Sequence, residues 1–414
     1  MPGVKLKHLK IHQYRNVRPG TELRFDDGIN LVLGQNASGK TTLLSLLSAV
    51  SRSTFTELSE EAFDLEFSLD CGEHAIVAHA SHRRRPIDES PEAASVPALW
   101  DDAYQIDITD RTANQIFTIV SGDPAPAQVR GRTPLMMEWS FIAAALAGTG
   151  PRLTSLRNLL FVAAQSFRFD ESLDGFAAAT GRELGLKGPA TPPPAYSAYQ
   201  SYMSTSTTEG AYVPGEFSRA LSTSFNAQPH LIAMNGAERP LAEQIAGVLG
   251  AKSVDIQPNI RERQYTPHLR AYRVEGFTFE VTRSDGSTIH HDRLSYGQKR
   301  LTAFFYYLAM NPSIVIADEL VNGLHHSWIK ACMEAIDERQ AFLTSQNPLL
   351  FEYVEFDSIE QVQSRFITCK SELVDGAEQL VWQNMSERDA RNFFESYQVG
   401  IESPGDILMT RGLW

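Results

Sequence analysis

The stretch LGQNASGKTTL, from Leu33 to Leu43, decides the fold class of this chain. It contains the pattern G-x-x-x-x-G-K-[ST], which is met by Gly34, Gly39, Lys40 and Thr41. The apolar run GINLVLG precedes it, and TTLLSLLSAV, with helical apolar spacing, follows it. We therefore predict a buried strand, a phosphate-binding loop and a helix in succession, because glycines let the backbone N–H groups of such a loop face an anion.

This loop predicts that the chain binds a nucleoside triphosphate. Lys40 is expected to reach the β- and γ-phosphates, and the Thr41 hydroxyl is expected to ligate Mg²⁺. The positive N-terminus of the following helix would face the same anion. The residues expected around the phosphates are Gly34, Gln35, Asn36, Ala37, Ser38, Gly39, Lys40, Thr41 and Thr42.

Composition places limits on the class of protein. The 414 residues are 43% hydrophobic and 21% charged, as in ordinary globular chains of two or three domains or one large α/β domain. The sequence shows no transmembrane segment and no signal peptide, so we expect a cytoplasmic protein without a membrane partner. The cysteines Cys71, Cys332 and Cys369 lack metal-site spacing and are expected to be reduced thiols.

Charge argues against a surface that is basic throughout, because the formal net charge is −13. A local nucleic-acid groove remains possible, since the first twenty residues carry basic side chains and no acid. These basic residues are Lys5, Lys7, Lys10, Arg15 and Arg18.

Hydrophobic patterning predicts the remaining elements. Alternation in FDLEFSLDCGEHAIVAHASH and AYQIDITDRTANQIFTIVSG predicts antiparallel strands, and an Asp285–Gly286 turn predicts a hairpin. EWSFIAAALAG and RPLAEQIAGVLGA read as helices, and NLLFVAAQSFRFD reads as a buried strand followed by a polar loop. The Pro/Ser/Thr-rich segment from Lys187 to Gly215 is a predicted loop, and no heptad run predicts a long coiled coil.

The second half supplies a matching set of motifs. LSYGQKRL, from Leu294 to Leu301, is followed by the apolar helical stretch TAFFYYLAM. The β-branched run Ile314 to Ala317 then ends in the paired acids Asp318 and Glu319. A helix that begins after serine and near glycine is an anion site, although a plain helix cap is the alternative reading of the serine.

This order of motifs resembles the ATP-binding-cassette class of ATPases. The resemblance implies that Ser295, Gly297 and Gln298 contact the γ-phosphate of ATP held by another subunit. It implies that Asp318 holds Mg²⁺ together with Thr41, and that Glu319 orients and deprotonates the attacking water. The active unit would therefore be a head-to-tail homodimer or a higher even oligomer.

A narrower resemblance comes from DELVNGLHHSW, Asp318 to Trp328, which is similar to the DEPE-x-x-LHP-x-W segment of OLD-like ATPases. These relatives of SMC and RecF proteins include ATPases of bacterial anti-phage systems such as Septu and PARIS. They also begin with a turn similar to Tyr14–Val17. The implied fold is an α/β ATPase head with a mixed sheet around the phosphate loop, an antiparallel β lobe and a helical and loop insertion.

This resemblance predicts five regions. Residues 1–60 hold the first strands, the phosphate loop and the first helix of the ATPase core, and residues 61–135 form the β lobe. Residues 136–280 form the helical and loop insertion, which includes the Pro/Ser/Thr-rich segment 187–215. Residues 281–350 hold the LSYGQ signature, the acidic strand end and the switch of the ATPase core, and residues 351–414 form a C-terminal segment.

The sequence departs from the family pattern at four positions. Leu320 and Val321 replace Pro-Glu, and His326 replaces a proline. In FLTSQNPLLF, Gln346 stands where the family carries a switch histidine. Glutamine donates a hydrogen bond but carries no charge and shuttles no proton, so we expect slow turnover or use of ATP as a dimerising switch. A simple turn residue is the alternative.

Several further residues admit two readings. Gln165 is either the Mg²⁺-sensing glutamine of a cassette ATPase or a polar loop residue, and Arg15 either approaches the nucleotide or forms an ion pair. The adjacent histidines 290–291 and 325–326 are expected to diverge, which disfavours zinc. The run His82 to Pro86, HRRRP, either binds phosphate or has no partner.

These observations favour an ATPase that drives or switches a partner effector in anti-phage defence. The effector, such as a nuclease, is expected to be another protein. A RecF-like DNA-repair ATPase that clamps DNA is the alternative. A transporter subunit is disfavoured because the phosphate loop and the LSYGQ segment lie too far apart, and a scaffold that binds ATP without turnover is a further possibility.

Overall fold

A mixed sheet of six strands carries the phosphate loop. In spatial order its strands are β17 (Ala377–Asn384), β16 (Phe366–Val374), β3 (Ile29–Leu33), β15 (Gln340–Leu343), β14 (Ile314–Ala317) and β8 (Arg168–Phe169). The strands β16, β3, β15 and β14 run parallel, and β17 is antiparallel to β16. All residues of β14 and β15 are buried, as expected for parallel strands covered on both faces.

The computed structural model describes residues 3–84, 100–121, 133–146, 153–164, 167–169, 183–189, 203–204, 240–265 and 269–412. The chain forms two compact units. The first comprises residues 1–168, 311–320 and 338–414, and the second comprises residues 169–310 and 321–337. The phosphate loop and the acidic strand end therefore belong to the first unit, and the LSYGQ segment belongs to the second.

The first unit also contains an antiparallel sheet. Its order is β2 (Thr21–Arg24), β1 (Lys5–Tyr14), β4 (Phe63–Asp70), β5 (His74–Arg84), β6 (Trp100–Asp110) and β7 (Gln115–Val120). Buried and accessible residues alternate along β4, because one face of such a sheet packs on the core and the other faces solvent.

Three helices share the hydrophobic core with these sheets. They are α1 (Lys40–Arg52), α2 (Trp139–Ala145) and α3 (Thr154–Ala163). Trp139 is fully buried, and its indole Nε1 donates to the carbonyl of Ser51 at 2.8 Å. This bond satisfies a carbonyl in the last turn of α1, the helix that begins at the phosphate loop.

The second unit is built on antiparallel strands. They are β9 (Glu183–Pro189), β10 (Met203–Ser204), β11 (Ser253–Tyr265), β12 (Leu269–Thr282) and β13 (Thr288–His290), in the order β10-β9-β12-β11 with β13 also paired to β12. Of these strands, β11 and β12 are the longest described, with 13 and 14 residues. The helices described in this unit are α4 (Pro240–Leu249), α5 (Tyr296–Met310) and α6 (His326–Ile336).

Three further helices lie at the C-terminal end of the first unit: α7 (Ile359–Arg365), α8 (Glu387–Val399) and α9 (Pro404–Thr410). Serine caps the N-terminus of each, at Ser358, Ser386 and Ser403. Helix α9 packs on a 3-10 helix, Pro348–Tyr353, so closely that a Cβ on Gly405 would lie 2.7 Å from the Cβ of Pro348.

The predicted α/β fold with a mixed sheet and an antiparallel lobe is confirmed. The hairpin is also confirmed, because Thr282 pairs with Thr288 around Asp285–Gly286. Among the described residues the longest helix has 15 residues.

The buried strand predicted at the start of NLLFVAAQSFRFD was wrong, since Asn158 to Ala163 lie in α3. The strand in this stretch is β8, at Arg168–Phe169, where the sequence predicted a polar loop. The buried residues Leu156, Leu160 and Ala163 follow helical spacing. A short apolar run does not distinguish a buried strand from a buried helix by periodicity alone.

Candidate active site

The phosphate loop follows β3 directly and ends at α1. Gly34 has a φ of 148°, and a Cβ there would lie 2.3 Å from the carbonyl oxygen of Cys369, so no side chain fits. The Lys40 ammonium donates to the carbonyls of Gly34 at 2.8 Å and Gln35 at 3.0 Å. These bonds hold the lysine across the mouth of the loop, close to where a phosphate group would lie.

A cavity of about 280 Å³ lies beside the loop, within the first unit. Gln35, Asn36 and Ser38 line one side, and the end of β16 from Thr368 to Glu372 lines the other. The Ser38 hydroxyl is buried and has no hydrogen-bond partner among the described residues.

The sheet brings Thr41 and Asp318 together although they are distant in sequence. The Thr41 hydroxyl donates to Asp318 Oδ2 at 2.7 Å. Asp318 immediately follows β14, whose N-terminal-to-C-terminal direction is that of β3. A hydroxyl and a carboxylate at this distance provide the hard oxygen ligands that Mg²⁺ prefers, so these residues fit the expected ion.

Thr344, which was not among the residues predicted from the sequence, links the two acids. Its hydroxyl donates to Asp318 Oδ1 at 2.6 Å and accepts the backbone N–H of Glu319 at 2.8 Å. Thr344 is fully buried. Its position directly after β15, the strand next to β14, was the available signal, because the carboxyl ends of adjacent parallel strands meet.

Glu319 is held in an uncommon backbone conformation. Its φ is 52°, in the left-handed region that non-glycine residues rarely adopt. Its carboxylate Oε2 accepts the backbone N–H of Gln346 at 2.9 Å. Backbone strain maintained by surrounding bonds is typical of functional sites.

We expect Thr344→Val to lower stability by about 1–3 kcal/mol, because it leaves the buried N–H of Glu319 without its acceptor. Loss of the hydroxyl also removes the hydrogen bond that constrains the backbone of Glu319. ATP turnover should therefore fall as well as stability. Thr344→Ser keeps the hydroxyl and is the matched control. Denaturant unfolding and phosphate release measure the two effects, and equal values for both variants would contradict the positioning role.

Arg168 was a second residue missed by the sequence analysis. Its guanidinium Nη1 donates to Ser45 Oγ at 2.9 Å and lies 4.0 Å from Asp318 Oδ2. No spacing rule in the sequence connects this arginine to the phosphate loop. Gln165, the predicted Mg²⁺-sensing residue three positions earlier, lies outside the described residues.

Arg15 forms an ion pair in the structure. Its Nε lies 2.5 Å from Glu61 Oε2, and its guanidinium also lies over the ring of Tyr14. Hydrogen bonding to Glu61 raises the pKa of Arg15. Of its two readings, the geometry favours the ion pair over a nucleotide contact.

The LSYGQ segment forms a reciprocal helix cap in the second unit. Gln298 N–H donates to the Ser295 hydroxyl at 3.4 Å, and Ser295 N–H donates to Gln298 Oε1 at 3.0 Å. This is the capping-box arrangement at the start of α5. Ser295 and Tyr296 are exposed, so the same N-terminus is accessible to a ligand or to another chain.

Gly297 permits close packing next to that cap. A Cβ on Gly297 would lie 2.9 Å from both the carbonyl oxygen of Gly323 and Cζ3 of Trp328. The Trp328 indole in turn donates to the carbonyl of Val248 in α4 at 3.1 Å. The segment after Glu319 thereby supports the LSYGQ loop within the second unit.

We expect Gly297→Ala to destabilise the chain by about 1–3 kcal/mol, because the added methyl group overpacks against a backbone carbonyl. Gly247→Ala is the matched control, since a Cβ at this helical glycine meets no atom within 4 Å. That control should be neutral or stabilising by up to about 1 kcal/mol. Thermal unfolding of both variants measures the difference, and a neutral Gly297→Ala would contradict the packing argument.

The expected divergence of adjacent histidines was wrong at His290 and His291. Their rings stack with centroids 4.2 Å apart, because β13 ends at His290 and a 3-10 helix, His291–Arg293, begins at the next residue. Together with Asp292 they bring potential ligand atoms within 4.8 Å. However, His291 Nδ1 accepts the N–H of Phe279 at 3.1 Å, so its Nε2 carries the proton when the ring is neutral. This hydrogen bonding does not favour metal binding.

The remaining predicted features either contact other residues or lie outside the described residues. In the HRRRP run, Arg83 pairs with Asp64, and His82 Nδ1 lies 2.5 Å from Asp102 Oδ1. Of the predicted loop 187–215, the structure describes only residues 187–189 and 203–204. The three cysteines are free and buried, and burial raises the pKa of each thiol.

Two family models match parts of the chain. Residues 8–72 match an AAA domain, and residues 225–352 match a model described as "AAA domain, putative AbiEii toxin, Type IV TA system". The matched segments contain the phosphate loop, the LSYGQ segment, the acidic strand end and the switch. They support ATP binding by an AAA-type domain, and neither description names the OLD-like group. No curated protein matches the chain.

Solved structures provide remote similarities. An Smc head bound to the C-terminal winged-helix domain of ScpA is 13% identical with a TM-score of 0.42, covering 92% of this chain and 98% of that chain. The SMC head domain from Thermotoga maritima is 12% identical with a TM-score of 0.37, covering 92% and 99%. The recombination mediator RecF with ATPrS is 12% identical with a TM-score of 0.34, covering 93% and 99%. At these values the similarities assign no function.

Within the described ranges, every helix is too short or too polar to cross a membrane.

Proposed function

We propose that this chain is an ATP-binding and ATP-hydrolysing ATPase of the ATP-binding-cassette type. The observation that carries the proposal is the 2.7 Å hydrogen bond between Thr41 and Asp318. It joins the phosphate loop to the acidic strand end, the two elements that hold a triphosphate and its divalent ion in such enzymes. The AAA-domain matches on both segments support the same conclusion.

Each candidate site residue in the first unit has a defined role in this proposal. Lys40 binds the phosphates, and Thr41 and Asp318 hold Mg²⁺, which neutralises charge that develops on the phosphate oxygens. Glu319 accepts a proton from the attacking water. The Gln346 N–H and the Thr344 hydroxyl fix Glu319 from its side chain and its backbone, respectively.

We propose further that two chains pair head to tail, with Ser295, Gly297 and Gln298 of one chain facing the ATP of the other. The exposure of Ser295 and its place at the N-terminus of α5 support this arrangement. Binding energy from the γ-phosphate would then close the pair, and hydrolysis would release it. Slow turnover is expected because Gln346 replaces a histidine.

The paired chains are proposed to switch a protein effector, such as a nuclease, in anti-phage defence. Support comes from the OLD-like DELVNGLHHSW segment and from the match to a model described as a putative toxin of a type IV TA system. The proposed location is the cytoplasm.

The alternative is a RecF-like ATPase that closes on DNA. Its support is the basic N-terminal region, but three of those side chains are already paired with acids. Lys7, Arg15 and Arg18 lie 2.5, 2.5 and 2.7 Å from carboxylate oxygens of Asp27, Glu61 and Glu372, respectively. This pairing reduces the positive charge available to a phosphate backbone.

ATP turnover by the purified chain, with and without double-stranded DNA, tests the proposal. Slow turnover that DNA does not change supports an ATPase that acts on a protein effector. Strong stimulation of turnover by DNA supports the RecF-like ATPase that closes on DNA. Absence of nucleotide binding would contradict both.

A further inference from the structure

Arg168 lies between the first turn of α1 and the acidic strand end. Its Nη1 donates to Ser45 Oγ at 2.9 Å, approaches the Thr41 carbonyl at 3.4 Å and lies 4.0 Å from Asp318 Oδ2. The side chains of Arg168 and Asp318 are 25% and 12% exposed, so solvent screens this pair only in part.

The backbone beside Arg168 is anchored in the same unit. The N–H of Phe167 donates to the side-chain Oδ1 of Asn311 at 3.0 Å, and Arg168 begins β8 at the edge of the mixed sheet. The guanidinium therefore projects from the first residue of β8.

Arg168 and the Thr41 hydroxyl both approach the same carboxylate oxygen, Asp318 Oδ2. Because the Thr41 hydroxyl bonds this oxygen, a divalent ion held by both residues would meet Asp318 at Oδ2. Two cations that share one carboxylate oxygen repel each other, and each weakens the binding of the other.

We infer that Arg168 competes with Mg²⁺ for Asp318 and so sets the Mg²⁺ concentration at which the chain takes up ATP. Before nucleotide binds, Arg168 balances the charge of Asp318 and ties β14 to α1 through Ser45. Uptake of Mg²⁺ with ATP requires this contact to loosen. The part of the inference that concerns ATP rests on the proposed function. The competition between Arg168 and Mg²⁺ for Asp318 does not.

The test compares the wild-type chain with Arg168→Ala in two measurements. The first is binding of a fluorescent ATP analogue as Mg²⁺ is titrated, where we expect half-maximal binding at about two- to fivefold lower Mg²⁺ in the variant. The second is the Tm of nucleotide-free protein in EDTA and in Mg²⁺. The variant should melt about 2 °C lower in EDTA and gain more from Mg²⁺ than the wild type does.

Three further variants sharpen the result. Arg388→Ala removes an arginine whose side chain is 85% exposed and should change neither measurement. Arg168→Lys keeps the charge and should fall between wild type and Arg168→Ala. In an Asp318→Asn background, Arg168→Ala should have no further effect on Mg²⁺ dependence, because the shared carboxylate is gone.

Two outcomes would overturn the inference. One is an unchanged or weaker Mg²⁺ dependence in Arg168→Ala. The other is an equal loss of ATP affinity with and without Mg²⁺, which would make Arg168 a phosphate-binding residue. If the wild type bound no nucleotide, the proposed function would be wrong. The Mg²⁺-induced shift in Tm would still show whether Arg168 and Mg²⁺ compete for Asp318.

Discussion

Glu319→Gln is expected to lower ATP turnover by about 100- to 10,000-fold, the range that general-base catalysis contributes. Glutamine has nearly the same shape but cannot take the proton of the attacking water. Its carbonyl oxygen can still accept the Gln346 N–H, which Glu319 Oε2 accepts at 2.9 Å. Binding of ATP should therefore persist, and ATP-bound pairs of chains should accumulate.

Phosphate release and light scattering in the presence of ATP measure these two effects. Glu334→Gln is the matched control, because this glutamate is 67% exposed and pairs with the exposed Lys330. Its turnover should equal that of the wild type. Full turnover in Glu319→Gln would show that another group activates the water.

Lys40→Ala is expected to weaken ATP binding by at least about thirtyfold. Loss of a charged partner from a desolvated site costs about 2–5 kcal/mol, and each 1.4 kcal/mol corresponds to a tenfold change in affinity. In the structure Lys40 donates to the carbonyls of Gly34 and Gln35, which hold the ammonium at the loop. The variant should remain folded, since the contacts of Lys40 with described residues are hydrogen bonds to two loop carbonyls.

Calorimetric titration with ATP and Mg²⁺ measures the loss of affinity. Lys330→Ala, which removes a lysine that is 60% exposed, is the control and should bind ATP normally. Tight ATP binding by Lys40→Ala would mean that the phosphates lie elsewhere, and the proposed role of the loop would be lost.

Local patterns predicted much of the fold and the candidate site. The strand, loop and helix around Lys40 were predictable because the glycine spacing, the apolar run and the helical periodicity fall within about 20 consecutive residues. The hairpin at Asp285–Gly286 was predictable for the same reason, since its turn lies within a few consecutive residues. The N–H of Arg283 donates to the carbonyl of Ser287, which leaves a loop of three residues between these two residues. The acidic pair was recognised from a β-branched run that ends in two carboxylates.

By itself, the sequence determined which residues are proposed to carry the chemistry: Lys40, Thr41, Asp318, Glu319 and the LSYGQ segment. Only the tertiary structure decided what holds them. Thr344 bridges the two acids because β15 lies beside β14, Arg168 reaches Asp318 from a strand at the sheet edge, and Arg15 is engaged by Glu61. These contacts join residues from distant parts of the chain, and the strand order that brings them together leaves no periodic signal in the sequence.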